Sequence, residues 1–282
     1  MTIRQALSDG AGKLTGCSTT PFLDAILLLC HTVGYTKEKL LSSYPDILQN
    51  GACGKYSARI ESRRAGEPVA YIIGTKEFYG LDFTIDHRAL VPRPDTEVLV
   101  NAVIDLCKSQ SQLKRIHDCC TGSGCIAISI QHELPNLVVS ASDISKEALA
   151  LFCRNSQSIL NKVIANSESD LLGSIHETFD IICGNPPYLT SMDIQEKINT
   201  NWPEPLLALD GGLDGLDPYR KLIPQCGLRL SKSGYVLLEA DPSQMEELEK
   251  LLVQNGFCNI MKYKDITGRS RVIQGNLLSE GS

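Results

Sequence analysis

The sequence predicts an α/β protein built on a mostly parallel sheet, with a small helical segment in front of it. Three observations carry that reading. From Leu113 onward, short apolar strand-like runs alternate with helical segments, which is the pattern of βαβ units. Before Val69 no strand-like alternation appears, and apolar residues recur at helical spacing. The last two strand-like runs have no helix between them, so they should pair antiparallel at one edge of the sheet.

In chain order, "PFLDAILLLCHTVGY" is an apolar helix that stops at a glycine, and "KYSARIESRRAG" is a charged one that does the same. The second carries Arg59, Arg63 and Arg64, which either face solvent or meet an acidic partner surface. "PVAYIIGTKEFYGLDFTID" alternates β-rich runs with glycines, as a hairpin does. In "HRALVPRPDTEVLVNAVIDLC", Pro92 and Pro94 stiffen the crossing, and Asp95 or Thr96 can cap a helix running to about Cys107. The expected organisation is a helical domain over 1–70, a hairpin linker over 71–94 and the α/β domain over 95–282. Seven strands are expected in that domain: "RIHDCC", "LVVSASD", "VIANSESD", "FDIICGN", "YVLLEA", "FCNIMKYKD" and "SRVIQGNLL". The helices between them are "GSGCIAISIQHEL", "SKEALALFCRNSQSIL", "LDPYRKLIPQCGLRLSKSG" and "SQMEELEKLLVQNG".

At 282 residues the chain is long enough for a substantial core, and 43% hydrophobic with 21% charged residues is ordinary for a globular protein. A net charge of −6 argues against a protein that grips nucleic acid through an extended basic face. The 11 cysteines are odd in number and include no Cys-x-x-Cys pair, so they read as buried reduced thiols rather than disulfides or metal ligands. The start "MTIRQALSDGAGKLTG" lacks a signal-peptide pattern, and "AILLLCHTV" falls short of the roughly 20 residues a membrane span needs. The expected setting is cytoplasmic.

Two stretches carry chemistry. "HDCCTGSGCIAIS" is a strand, a small-residue turn and a helix. Gly122 and Gly124 allow close backbone approach to a ligand, and the helix start behind them favours a carboxylate or phosphate. Asp143 ends the next strand, where an acid can accept from ribose hydroxyls, although it could equally cap the helix beginning "SKEALA". Asp170 ends the third strand on the same rim and by itself reads as a solvated loop acid. Together these suggest a nucleoside-containing cofactor without saying which one. His117, alone on its strand, reads as structural.

The second stretch is Asn185-Pro186-Pro187-Tyr188, at the end of the fourth strand. Prolines there end strand pairing and fix the direction of the backbone carbonyls. The asparagine amide offers one acceptor and two donors, and the tyrosine offers a flat face. Such a corner can hold a planar –NH2 on an sp² carbon, with its hydrogens directed to Asn185 and the Pro186 carbonyl. Acceptors pulling on those hydrogens would localise the nitrogen lone pair, and alignment would supply much of the remaining rate gain.

"FDIICGNPPY" resembles the motif of S-adenosylmethionine-dependent methyltransferases that act on planar amino groups. "EPVAYIIGTKEFYGLDF", "LVPRPDTEVLV", "NWPEPLLALDGGLDGLDPYR" and "DITGRSRVIQG" together resemble the PrmC/HemK family, over nearly the whole chain and in order. That resemblance implies a Rossmann-like class I methyltransferase domain. It also implies transfer of a methyl group from S-adenosyl-L-methionine to the glutamine N5 in the Gly-Gly-Gln motif of peptide chain release factors 1 and 2. By that resemblance, Cys120, Thr121, Gly122, Ser123 and Gly124 cradle the methionine end of the cofactor. Asp143 holds the ribose, and Asp170 and Leu171 border the adenine. Asn185 touches cofactor and substrate, while Pro186, Pro187 and Tyr188 complete the glutamine pocket. Arg93 and Thr96 line the same cleft, and Glu204 and Pro205 shape its entrance. No metal is expected, and the chain should act as a monomer without binding nucleic acid or membrane. Two positions depart from the family pattern: Cys120 stands where glycine is usual, and Leu171 where tryptophan can occur. The alternatives are a sister enzyme modifying a ribosomal-protein glutamine, an adenine amino methyltransferase, and an inactive cofactor-binding protein.

Overall fold

The computed structural model describes residues 1–277. The last residue of the final predicted strand, Leu278, and positions 279–282 of the predicted α/β domain lie outside the described residues. The chain separates into two compact units, Met1–Thr75 and Lys76–Ser282.

The first unit is helical: α1 (Ile3–Leu14), α2 (Pro21–Val33), α3 (Lys37–Ser42), α4 (Asn50–Arg64) and α5 (Val69–Ile73). Thr2 and Gln5 form a capping box that satisfies the first amides of α1. α2 begins on a proline and ends at Gly34 with φ +70°, where a residue with a Cβ would be strained. Leu7, Leu14, Leu28, Leu29 and Ile60 form the centre of this unit's core. The structure divides the three arginines of α4. Arg63 Nε donates to the buried Asp24 at 2.7 Å, and Arg59 donates to Thr32 Oγ1 at 3.0 Å. Arg64 pairs with Glu61 at the surface. One expectation is corrected here. "VAYII" was expected to begin the hairpin, but it is helix α5, because Pro68 and the left-handed Gly74 bracket it as start and stop signals. With Ala70 and Tyr71 buried, those signals outweigh the β preference of valine and isoleucine.

A hairpin begins at the boundary, β1 (Thr75–Phe78) and β2 (Leu81–Thr84), and its Phe78 and Phe83 are buried in the main core of the second unit. There follow α6 (Glu97–Ser109), β3 (Arg115–Cys119), α7 (Cys125–Glu133), β4 (Val138–Asp143), α8 (Lys146–Leu160), β5 (Ala165–Glu168) and β6 (Phe179–Gly184). The remainder is α9 (Ser191–Asn199), α10 (Asp217–Arg229), β7 (Leu230–Glu239), α11 (Met245–Gln254), β8 (Phe257–Lys264) and β9 (Ser270–Leu277). The seven-stranded sheet has the order β5-β4-β3-β6-β7-β9-β8, with the first five strands parallel and β9 antiparallel to both β7 and β8. This is the expected α/β sheet with its antiparallel edge pair. One boundary moves: "LSKSG", read as the end of a helix, already belongs to β7, and α10 stops at Arg229.

The chain runs outward from β3 to β5 and then returns to place β6 on the other side of β3. The strand order therefore reverses at β3, and ligands of open α/β sheets bind in the crevice such a reversal creates at the strand C-termini. β3 and β6 approach closely there. A Cβ on Gly184 would stand 2.3 Å from the Cys119 carbonyl oxygen, which is backbone and cannot rotate away. Gly184→Ala is expected to cost about 2–3 kcal/mol of stability by forcing the strands apart, measured by denaturant unfolding.

Candidate active site

The glycine turn follows β3. Gly122 and Gly124 have φ of +54° and +87°, so the chain reverses sharply before α7, whose N-cap residue, Gly124, offers no side chain to its first amides. Cys120 also adopts a positive φ, +61°, so the position where the resemblance led to an expectation of glycine does take a left-handed backbone. Leu171, the second departure, sits at φ +54° and is buried.

Three side chains hold this turn. Asp118 accepts from Thr121 Oγ1 at 2.6 Å and from the Ala127 amide at 3.1 Å. Asp143 Oδ2 accepts from the Gly122 amide, and its Oδ1 from the Ser145 amide, both at 2.9 Å. Asn155 of α8 donates to the Ser123 carbonyl at 2.9 Å and bonds both ways with the backbone of Thr84. Asp143 is thus not the cap of α8, a role Ser145 fills by accepting from the Ala148 amide; Asp143 instead braces the Ser145 amide and ties the end of β4 to the turn. His117 is wedged between Ser140 and Ser142 at 2.9 Å each and stacks on Phe179. Burial lowers its pKa to about 4, so it is a neutral structural residue.

A cavity of about 390 Å³ opens beside the turn. Of the expected site residues, Cys120, Thr121, Gly122, Ser123, Asp143, Asp170, Leu171, Arg93, Thr96, Asn185, Pro187 and Pro205 line it. Gly124, Pro186, Tyr188 and Glu204 do not line it. Gly124 faces inward instead, where an added Cβ would meet Phe152 at 2.5 Å. Pro186 is buried, and the Tyr188 carbonyl accepts from Gln244 Nε2 at 3.0 Å. Glu204 is a buried clamp. It accepts from the Val91 amide at 2.9 Å and from Trp202 Nε1 at 3.1 Å, and it pairs with Arg93. It therefore joins "WPEP" to "VPRP" from beneath the cavity wall. Thr96 is also placed differently from the cap reading. It ends a 3₁₀ turn, makes no side-chain cap, and is buried with its hydroxyl near Asn185.

The arrangement fits a ligand with a charged end and sugar hydroxyls. Each Asp143 oxygen retains a lone pair beyond its backbone bond, and the cavity lies within the usual size of small-molecule sites. In the same cavity, Asn185 Oδ1 is buried without a hydrogen-bond partner. An unpaired buried acceptor is costly unless a ligand supplies the donor.

Sequence reasoning missed two contributors. The glycines of "DGGLDG" thread against the proline corner. Gly211 donates to the Leu189 carbonyl at 2.8 Å, and a Cβ on Gly215 would lie 2.2 Å from the Tyr188 carbonyl oxygen. Their close spacing was the available signal. The other is Glu239, 2% exposed at the end of β7. Burial raises its pKa to about 7, with the neighbouring polar side chains of Thr96 and Asn185 opposing the rise. Because the folded value exceeds the unfolded one, the stability it contributes is full at acid pH and is lost as pH rises toward and through 7. Relative to Glu239→Gln, the wild type is expected to lose about 2 kcal/mol between pH 5 and pH 8, read from urea unfolding at each pH.

The PrmC N-terminal domain family matches residues 5–74, and the Methyltransferase small domain family matches residues 95–202. A Release factor glutamine methyltransferase of Moorella thermoacetica is 36% identical, over 96% of this chain and 97% of the relative. The chain belongs to the release factor glutamine methyltransferase family. A second member, from Bradyrhizobium diazoefficiens, is 37% identical over 82% of this chain and 79% of its own length. Among solved structures, the hMettl16 catalytic domain aligns with a TM-score of 0.57 at 15% identity, covering 83% of this chain and 84% of that one. A ribosomal protein L11 methylase from Lactobacillus delbrueckii aligns at 0.51 and 22%, covering 69% and 84%. These likenesses concern the fold: the family's sheet is the class I methyltransferase sheet.

Proposed function

We propose that the chain transfers a methyl group from S-adenosyl-L-methionine to the side-chain amide nitrogen of the Gly-Gly-Gln glutamine in peptide chain release factors 1 and 2. The observation that carries this is the unpartnered, buried Asn185 Oδ1, which lines the same cavity as the glycine turn and follows the strand neighbouring it. It is the acceptor that a planar amide –NH2 requires.

In this reading the turn from Cys120 to Gly124 and the start of α7 hold the amino-acid end of the cofactor, Asp143 its ribose, and Leu171 its adenine. When bound, S-adenosyl-L-methionine supplies an electrophilic methyl carbon on its sulfonium. Asn185 accepts a hydrogen of the substrate amide, drawing electron density onto a nitrogen whose lone pair is otherwise delocalised. Pro186 and Pro187 keep that acceptor fixed, so little reorganisation remains at the moment of transfer. The helical segment, residues 1–70, serves as the recognition domain for the protein substrate. No helix among the described residues is long and apolar enough to cross a membrane, and the proposed setting is a cytoplasmic monomer that binds neither membrane nor nucleic acid directly.

The test is incubation with methyl-labelled S-adenosyl-L-methionine and purified release factor, with mass spectrometry to locate the label. Label on the Gly-Gly-Gln glutamine is the expected result. Label on nucleic acid or on a ribosomal protein, with none on the release factor, would overturn the assignment.

A further inference from the structure

The amide of Asn185 has two ends of nearly equal shape, one donating and one accepting. Turned the wrong way, its Nδ2 would confront the N–H donors of a substrate amide. Something must therefore hold it the right way round. β6 and β7 are parallel neighbours with Gly184 registered against Leu238, so the residues that follow, Asn185 and Glu239, lie side by side at the strand ends. Glu239 has the polar side chains of Thr96 and Asn185 beside it, and both favour its charged form. Asn185 Nδ2 is directed at Thr96 Oγ1, 3.5 Å away, and its Oδ1 has no partner. Glu239 Oε2 is also buried without one.

We propose that Glu239 is a positioning residue for Asn185: as a carboxylate it offers only acceptors, so it and Thr96 hold Nδ2 inward and leave Oδ1 for the substrate amide. This inference rests on the glutamine-methylating reading of the site. Protonation of Glu239 makes one of its oxygens a donor, which Asn185 Oδ1 can satisfy; the amide then turns and presents Nδ2 to the substrate. The groups facing Glu239 set where this happens. Asp95 beside the 3₁₀ turn opposes ionisation, and Arg271 of β9 favours it. Tyr188 after β6, Tyr219 of α10 and Cys125 of α7 feel the carboxylate and are themselves kept neutral by burial. Asp241 lies just beyond β7, and Tyr219 Oη donates to the Glu239 carbonyl at 2.6 Å, which anchors the backbone. With burial dominating, the carboxyl titrates near neutrality.

The experiment pairs single-turnover methyl transfer to a release factor between pH 5.5 and 9 with ¹H–¹⁵N spectra of the Asn185 side-chain amide, assigned by its loss in Asn185→Ala. In the wild type, the rate should rise about tenfold per pH unit below an apparent pKa near 7 and then level off. The amide signals should move with the same midpoint. In Glu239→Gln, the rate at pH 8 should fall about tenfold, the pH-dependent limb and the signal movement should vanish, and cofactor affinity should stay within about twofold. Identical pH profiles in wild type and variant, or Asn185 signals that do not titrate in the wild type, would overturn the proposal. The wild-type titration decides even if the variant does not fold. A wild type that titrates but methylates no release factor would retain the positioning role and remove the functional reading.

Discussion

Replacing Asn185 by alanine is expected to lower methyl transfer by about 10²- to 10³-fold, the range seen when a single preorganised polar group is removed from a reacting centre. Cofactor binding should change by no more than a few fold, because the glycine turn and Asp143 reach the cofactor without help from this side chain. The loss should fall on kcat. The Asn185 acceptor matters most when charge builds on the substrate nitrogen, so its removal costs the transition state more than the ground state. Folding should be affected much less than turnover. The side chain's own bond to Thr96 is long, at 3.5 Å, and its oxygen is already unpartnered, so alanine removes an unsatisfied buried acceptor while withdrawing one weak donor from Thr96 and Glu239. Stopped-flow or quenched single-turnover assays with labelled cofactor would check this. Turnover close to wild type would remove Asn185 from the chemistry and leave the proline corner as a rigid turn.

Much of this site could be read along the chain because its key pieces are local. A strand, a small-residue turn and a helix start follow one another within "HDCCTGSGCIAIS", and the proline corner directly follows its strand. The alternation of strands and helices likewise forces a parallel sheet and puts both motifs on one rim. What could not be read depends on partners distant in sequence. Glu204 looked like part of an entrance loop, but its bonds go back to Val91 and Arg93, so it is a buried clamp. Thr96 looked like a helix cap because it precedes a helix, yet its neighbour is Asn185 from another strand end. Glu239 was an ordinary acid at the end of "YVLLEA" until the sheet order placed β7 beside β6. "VAYII" misled through composition: valine and isoleucine suggested strand, while the flanking Pro68 and Gly74 held the better signal. Cys120 was legible as a departure, but only the backbone reveals that its position is left-handed.

Asp143→Ala is expected to weaken S-adenosyl-L-methionine binding by about 10²- to 10³-fold, the equivalent of one or two hydrogen bonds to a charged acceptor. Calorimetry should give 1:1 binding for the wild type. Two losses coincide in the variant. The ribose hydroxyls lose their carboxylate, and the Gly122 amide loses the bond that ties the turn to β4. Stability should fall much less than affinity. The Asp143 carboxyl is itself held above its ordinary pKa by burial, so removing it also relieves a desolvated charge. Asp143→Asn separates the two losses. Its amide keeps one acceptor, but its NH2 must face either the Gly122 or the Ser145 amide, both donors. If the carboxylate acts on the ribose, Asn should bind nearly as weakly as Ala. If its work is only to brace the turn, Asn, which keeps an acceptor for the Gly122 amide, should recover part of the affinity that Ala loses, and an Ala variant binding within about threefold of wild type would remove the ribose contact altogether.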